Sequence, residues 1–310
     1  MIKQNSLNSG ISKQSKAIGG SHGVIISFLT YICWGFVPLY MRFMSEINVI
    51  EIIAHRVLWS LPAIALAVAF FEGLHAVKSI CKNPQVLLKI MINAMILAAH
   101  WGLYIYSVVS GNLLKASLAF FISPLLSISL GTILLKEPLK RSQIIPIGLI
   151  VVAIGIMSTG VGGLPWLSLA IAGTWSIYAF FRKTIPADPN SGFLLEMIAL
   201  SIPATVIAFG FTKIVGESSY FVKDTHYAML LIGYGLINGI LFCTFSYALK
   251  ITRLSYIGIM EYIAPTIMLI NTIFLLKQSV SPIEIVAFSI VMCASVIYAI
   301  PAYLDACNKE

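Results

Sequence analysis

The chain has 310 residues, 59% of them hydrophobic and only 10% charged, where a soluble domain carries roughly 25% charged residues. So little polar surface excludes a soluble globule, and the net charge of +8 must be located before it is read as affinity for an anionic partner. Apolar stretches of about 20 residues, the length that crosses a ~30 Å hydrocarbon layer, are predicted at about 23–44, 48–71, 86–109, 113–135, 142–160, 164–183, 191–214, 226–249, 254–276 and 281–303. The expected fold is an all-α polytopic membrane protein of ten transmembrane helices, with too little chain outside them for an extramembrane domain. The lipid bilayer is its first partner, and any function has to sit within the helix bundle.

Residues 1–22 are polar, with Lys3, Lys13 and Lys16 and no acid, and are predicted to form a cytoplasmic tail. The apolar stretch from Gly23 is too long for a signal-peptide core and no A-x-A-like site follows it, so the tail is expected to be kept. With the N-terminus inside, Lys78, Lys82, Lys136, Lys140, Arg141, Arg182, Lys183, Lys250, Arg253 and Lys309 fall on the same side. Only Lys213, Lys223 and Lys277 remain outside. The positive-inside rule then places both termini in the cytoplasm, and the basic excess is mainly a topology signal, with anionic inner-leaflet headgroups a secondary attraction. No basic face with interleaved aromatics stands clear of the membrane, so no nucleic-acid partner is expected. Cys33, Cys243 and Cys293 lie within spans and Cys81 and Cys307 outside them, with no C-x-x-C spacing, which predicts neither a disulfide framework nor a zinc site.

Charges inside apolar spans cost about 2.5–3.5 kcal/mol each at mid-bilayer, so each needs a reason. At the second span, Asn48 followed three residues later by Glu51 reads as a capping box, and Ser281-Pro-Ile-Glu284 repeats it at the tenth. Arg42, Lys89 and Lys115 lie near span ends and can snorkel. His55 and Arg56 resist both accounts, since Arg56 lies about 12 Å beyond Asn48 at 1.5 Å per residue. Opposite them, Glu196 lies about 7 Å and Glu261 about 10 Å inside the cytoplasmic boundary. Two compatible readings follow. Arg56 pairs with Glu261 or Glu196 and pins helices together, or these groups line a solute or proton path. His55 titrates near neutrality and, with Glu196 and Glu261, is a candidate proton carrier.

Further candidate lining comes from Tyr31 and Trp34 in the first span, Asn93, His100, Trp101 and Tyr104 in the third, Phe120 and Phe121 in the fourth, and Tyr262 in the ninth. Asn93, His100 and Tyr104 share one helix face by their spacing, and Asn93 and His100 would be unsatisfied against lipid. Such a lining suits a small organic amphiphile. Pro62, Pro124, Pro203 and Pro265 lie within spans and are candidate hinges, because proline removes a backbone hydrogen bond and kinks the helix. Gly235-x-x-x-Gly239 and Ser127-x-x-x-Gly131 read as close-packing motifs.

Shifting the chain against itself by 141 residues aligns Trp34 with Trp175, Ser60-Leu-Pro-Ala63 with Ser201-Ile-Pro-Ala204, Tyr106 with Tyr247, Pro124 with Pro265 and Leu134-Leu-Lys136 with Leu275-Leu-Lys277. This predicts two five-helix repeats, at about 23–160 and 164–303. Five is odd, so the second repeat enters the membrane from the opposite side, the plan of many secondary transporters. No H-E-x-x-H or phosphate-loop motif and no nucleophile elbow is present, so no metal, cofactor or ATP-driven step is expected. A polytopic membrane enzyme and a non-transporting scaffold remain as alternatives.

Five helices plus five, with A-S-L-A-F-F-I-S-P-L at 116–125 and L-L-K-E-P-L at 134–139, resembles the EamA-type drug/metabolite transporter superfamily. Y-I-C-W-G-F-V-P-L-Y at 31–40, E-I-I-A-H-R-V-L-W-S at 51–60 and the stretch from Leu114 to Pro138 are similar to its RarD branch. The chain departs from the family where a Gly-Glu pair often closes the fourth helix of each half. It has Lys136-Glu137 and Lys277-Gln278 there. The resemblance implies a multi-pass carrier of small organic metabolites or drugs in a bacterial cytoplasmic membrane, and it attaches no substrate.

Overall fold

The computed structural model describes residues 20–134, 141–160, 164–251 and 260–307. Most of the predicted tail, together with Lys136 and Glu137, lies outside the described residues. Each of the ten predicted spans overlaps a helix among the described residues: α1 Gly20–Arg42, α2 Val49–Phe71, α3 Pro84–Val109, α4 Leu113–Leu134, α5 Arg141–Gly160, α6 Trp166–Thr184, α7 Pro189–Val215, α8 Thr225–Ile251, α9 Ile263–Ile270 and α10 Pro282–Cys307, with residues 254–259 of the ninth lying outside the described residues. The ninth differs from the others, because α9 passes after Ile270 into a π-helical segment, Asn271–Leu275. Among the described residues, the helices within Gly23–Arg42, Val49–Phe71, Pro84–Val109, Asn190–Val215 and Thr225–Phe245 are long and apolar enough to cross a membrane by length and composition. Side chains such as Phe70 and Phe209, 81% and 89% exposed, face outward. An apolar exterior on that scale calls for lipid.

Helix ends follow local chemistry. Asn48 caps α2, its Oδ1 accepting from Ile50 N at 3.0 Å, and Asn83 caps α3, with Pro84 at the first helical position. The predicted box of α10 is reciprocal: Ser281 N donates to Glu284 Oε2 at 2.8 Å and Glu284 N to Ser281 Oγ at 3.2 Å. At α2 the expectation is corrected. Glu51 does not close a box on its own helix. It is fully buried and accepts from Ser219 Oγ (2.7 Å), Tyr220 N (3.2 Å) and Phe221 N (3.0 Å). It therefore caps the single turn Tyr220–Lys223, in the loop between α7 and α8, whose free amides attract a carboxylate more strongly than the already capped α2. Beyond the far end of α2, Glu72 accepts from Asn190 N (3.3 Å), Ser191 N (2.8 Å) and Ser191 Oγ (2.6 Å) at the start of α7.

The principal helix packings are α1 on α8 and α9, α2 on α7 and α8, α3 on α6 and α7, α4 on α6 and α9, and α5 on α10. Exchanging the first five helices for the second five maps this set onto itself. Glycines let α8 approach α2 closely. A Cβ at Gly235 would fall 2.5 Å from Trp59 Cβ, and one at Gly239 would fall 3.0 Å from Ser60 O. Ser60 Oγ crosses the contact to donate to Gly235 O at 3.0 Å. The small-xxx-small reading of 235–239 thus has a direct packing basis.

Candidate functional site

Where α1, α2, α3, α4, α6, α8 and α9 converge, they leave a cavity of about 110 Å³, so both halves of the chain build its wall. From α2 comes Arg56. Its Nη1 donates to Tyr234 OH at 2.8 Å, and its guanidinium carbon lies 3.9 Å from the Trp101 ring centroid. Its Nε is buried without an acceptor. The cation is therefore held by a phenol and an indole face, both uncharged, and keeps unused donors.

From α3 comes His100, whose Nδ1 lies 3.1 Å from Ile171 O and 3.2 Å from Thr174 Oγ1 on α6. A carbonyl only accepts, so Nδ1 carries the proton of that bond, and in the neutral ring Nε2 is an acceptor. Trp34 meets Tyr31, Phe242 and Phe245 at ring-centroid distances of 5.4, 5.5 and 5.2 Å, giving one aromatic wall. Tyr104 and Phe120 meet edge to face at 5.5 Å on the opposite side. Glu261 sits in the turn just before α9 and lines the cavity with Ala264, Pro265 and Met268. It forms neither a hydrogen bond nor an ion pair with any described residue.

The predicted site residues separate into two groups. Tyr31, Trp34, Arg56, His100, Trp101, Tyr104, Phe120 and Glu261 come together in the cavity wall. Four others lie elsewhere. His55, adjacent in sequence to Arg56, points away, its ring stacked on Phe221 at 4.2 Å and 18°, and neither ring nitrogen has a partner among the described residues. Asn93 and Glu196 belong to a separate buried network: Asn93 Nδ2 donates to Glu196 Oε1 at 2.8 Å, Tyr178 OH donates to Oε2 at 3.1 Å, and Arg182 Nη1 lies 3.6 Å from Oε1. Tyr262 packs on Phe121 at 6.3 Å, outside the cavity lining. The expected ion pair of Arg56 with Glu261 or Glu196 is not formed. Glu196 is held by Arg182, a residue assigned from sequence to the membrane boundary, and Arg56 lies under rings.

Pro124 and Pro265 are in the cavity wall, whereas Pro62 and Pro203 lie on the exposed outer faces of α2 and α7. Sequence reading missed Trp175, Asn238, Phe242, Phe245 and Met268, all in the wall. Trp175 could have been found, since it matches Trp34 under the 141-residue shift. Among the described residues, no cluster of three His, Cys, Asp or Glu could hold a metal ion.

Residues 21–159 match the model of the EamA-like transporter family. Protein RarD of Streptomyces exfoliatus is 31% identical over 277 residues, which cover 89% of this chain and 87% of that one. The chain belongs to the RarD branch of the EamA-type drug/metabolite transporter superfamily. Protein RarD of Escherichia coli K12 is 27% identical, covering 90% of this chain and 94% of that one. An uncharacterised transporter of Bacillus subtilis, YojE, is 28% identical, covering 89% and 93%. One solved crystal structure superposes with a TM-score of 0.58 at 17% identity over 91% of this chain and 99% of that one, a likeness of fold. As a member of the RarD branch, the chain is a multi-pass membrane transporter whose partners are the bilayer and small solutes.

Proposed function

We propose that the chain is a secondary carrier moving a small organic solute across the bacterial cytoplasmic membrane by alternating access, not an enzyme or a scaffold. Its two five-helix repeats have opposite orientations and both termini are cytoplasmic. The observation that carries this reading is the cavity built jointly by both halves, with the unneutralised guanidinium of Arg56 in its wall. A site between inverted repeats, walled by elements of both, is reached from each side in turn as the repeats rock. The exchange-related helix packings support that motion, since each principal contact in one half has its counterpart in the other.

Pro124, inside α4, and Pro265, in the first turn of α9, are matched by the repeat and both line the cavity, and Pro62, Pro124, Pro203 and Pro265 are the positions about which the halves flex. The driving force is a gradient, whether of the solute itself, of protons or of an exchanged solute. Flux of a radiolabelled metabolite panel into proteoliposomes, with and without a pH gradient, tests the proposal. Uptake of at least one solute above empty liposomes is expected. No uptake of any, accompanied by a product formed from lipid, overturns it in favour of a membrane enzyme.

A further inference from the structure

Arg56 and Glu261 face one cavity and do not pair with each other. Arg56 is 4% exposed, and its partners, the Tyr234 hydroxyl and the Trp101 ring, are uncharged. Nε is buried without an acceptor, and a guanidinium whose donors are not all met attracts a carboxylate through charge-assisted bonds. Glu261 has no donor at all among the described residues, and the aromatic wall of Tyr31, Trp34 and Phe245 borders the same space. Two charges of opposite sign facing one cavity inside the bundle, each without a counter-charge among the described residues, are costly unless a ligand supplies both partners.

We infer that the cavity takes a small zwitterion, its carboxylate on Arg56 and its cationic nitrogen on Glu261 beside the rings around Trp34. A single-charged solute would settle one of the two groups and leave the other without a counter-charge. Aromatic faces add attraction for the cationic end, whether it is a primary ammonium or a methylated one. A cavity of about 110 Å³ limits the solute to a few heavy atoms beyond the two charged groups. The assignment rests on the carrier reading for its biological meaning but not for its binding chemistry.

Calorimetric titration of the purified full chain tests it with two matched sets: leucine against isopentylamine and 4-methylpentanoate, and trimethylglycine against tetramethylammonium and acetate. At least one zwitterion is expected to bind tenfold or more tighter than both of its single-charged relatives. Arg56→Gln should remove the advantage over the amine and Glu261→Gln the advantage over the acid, each in a variant that still elutes as a monodisperse species. A smaller advantage in both sets, no binding of either zwitterion, or discrimination that survives Glu261→Gln, as for a glutamate that only carries protons, overturns the inference. Binding of a zwitterion that proteoliposomes fail to move counts against the carrier and leaves this assignment standing. Flux of a single-charged solute with no preference for a zwitterion does the reverse.

Discussion

Glu196 shows what a buried charge requires. It is fully buried, and three different side chains from α3 and α6 converge on its two oxygens. Gly192, one turn earlier on α7, leaves room for this, since a Cβ there would lie 2.5 Å from Arg182 Nη1. Removing the carboxylate takes away the acceptor of both the Asn93 amide and the Tyr178 hydroxyl at a fully buried position. Glu196→Ala is expected to destabilise the protein by on the order of 2–3 kcal/mol, the cost of buried donors left without an acceptor, read as a lowered melting temperature in detergent. Glu196→Gln, which keeps one oxygen to accept from Asn93 and turns an NH2 toward the Tyr178 hydroxyl oxygen, should lose less. Depth along a helix was legible from spacing alone, and it marked Arg56, Glu196 and Glu261 as groups needing a partner. Azimuth was not legible. Arg56 and Glu196 fall at depths that would let them meet, but α7 turns its carboxylate toward α3 and α6. The polar residues that reach it, Tyr178 and Arg182, lie four apart on α6, a spacing that becomes informative only once their helix is known to pack on α7.

At the scale of elements, α2 is secured at both ends to the other half. Glu51 caps the turn Tyr220–Lys223, and Asn48 Nδ2 adds a bond to Glu217 Oε2 at 3.1 Å. At the opposite end Glu72 holds the first turn of α7. With the proposed topology the first contact closes the outer side and the second the inner side. A disulfide between Asn48→Cys and Glu217→Cys, in a background with the native cysteines replaced by serine, should therefore stop flux when oxidised and restore it on reduction. Full-rate transport by the oxidised pair would show that this contact does not open during turnover. The spans themselves were legible because a run of about 20 apolar residues has one stable solution in lipid. The caps were half legible: Asn48 and Ser281 behave as local chemistry dictates, whereas the partner of Glu51 comes from a loop about 170 residues away. The walls from α8 were hidden for a different reason. Phe242 and Phe245 share a helix face with Asn238, four and seven residues before them, and that polar mark is absorbed into the Gly235-x-x-x-Gly239 packing motif.

The whole molecule is organised by pairings that cross between the repeats. α2 packs on α7 and α8, and α1 on α8 and α9, so most of the contact each repeat makes is with the other. The 141-residue register predicts a duplication, and the exchange of packings accords with it. It also means that neither repeat is a folding unit by itself, although each has its own five helices. A chain divided between α5 and α6 should yield two fragments that are degraded when expressed singly and accumulate together as a complex that restores flux. Stable accumulation of either fragment alone would contradict this. With the proposed repeats, the interlocked α2 and α7 give the single polypeptide the contact pattern of a two-fold dimer, and carrying both halves on one chain fixes their ratio at one to one.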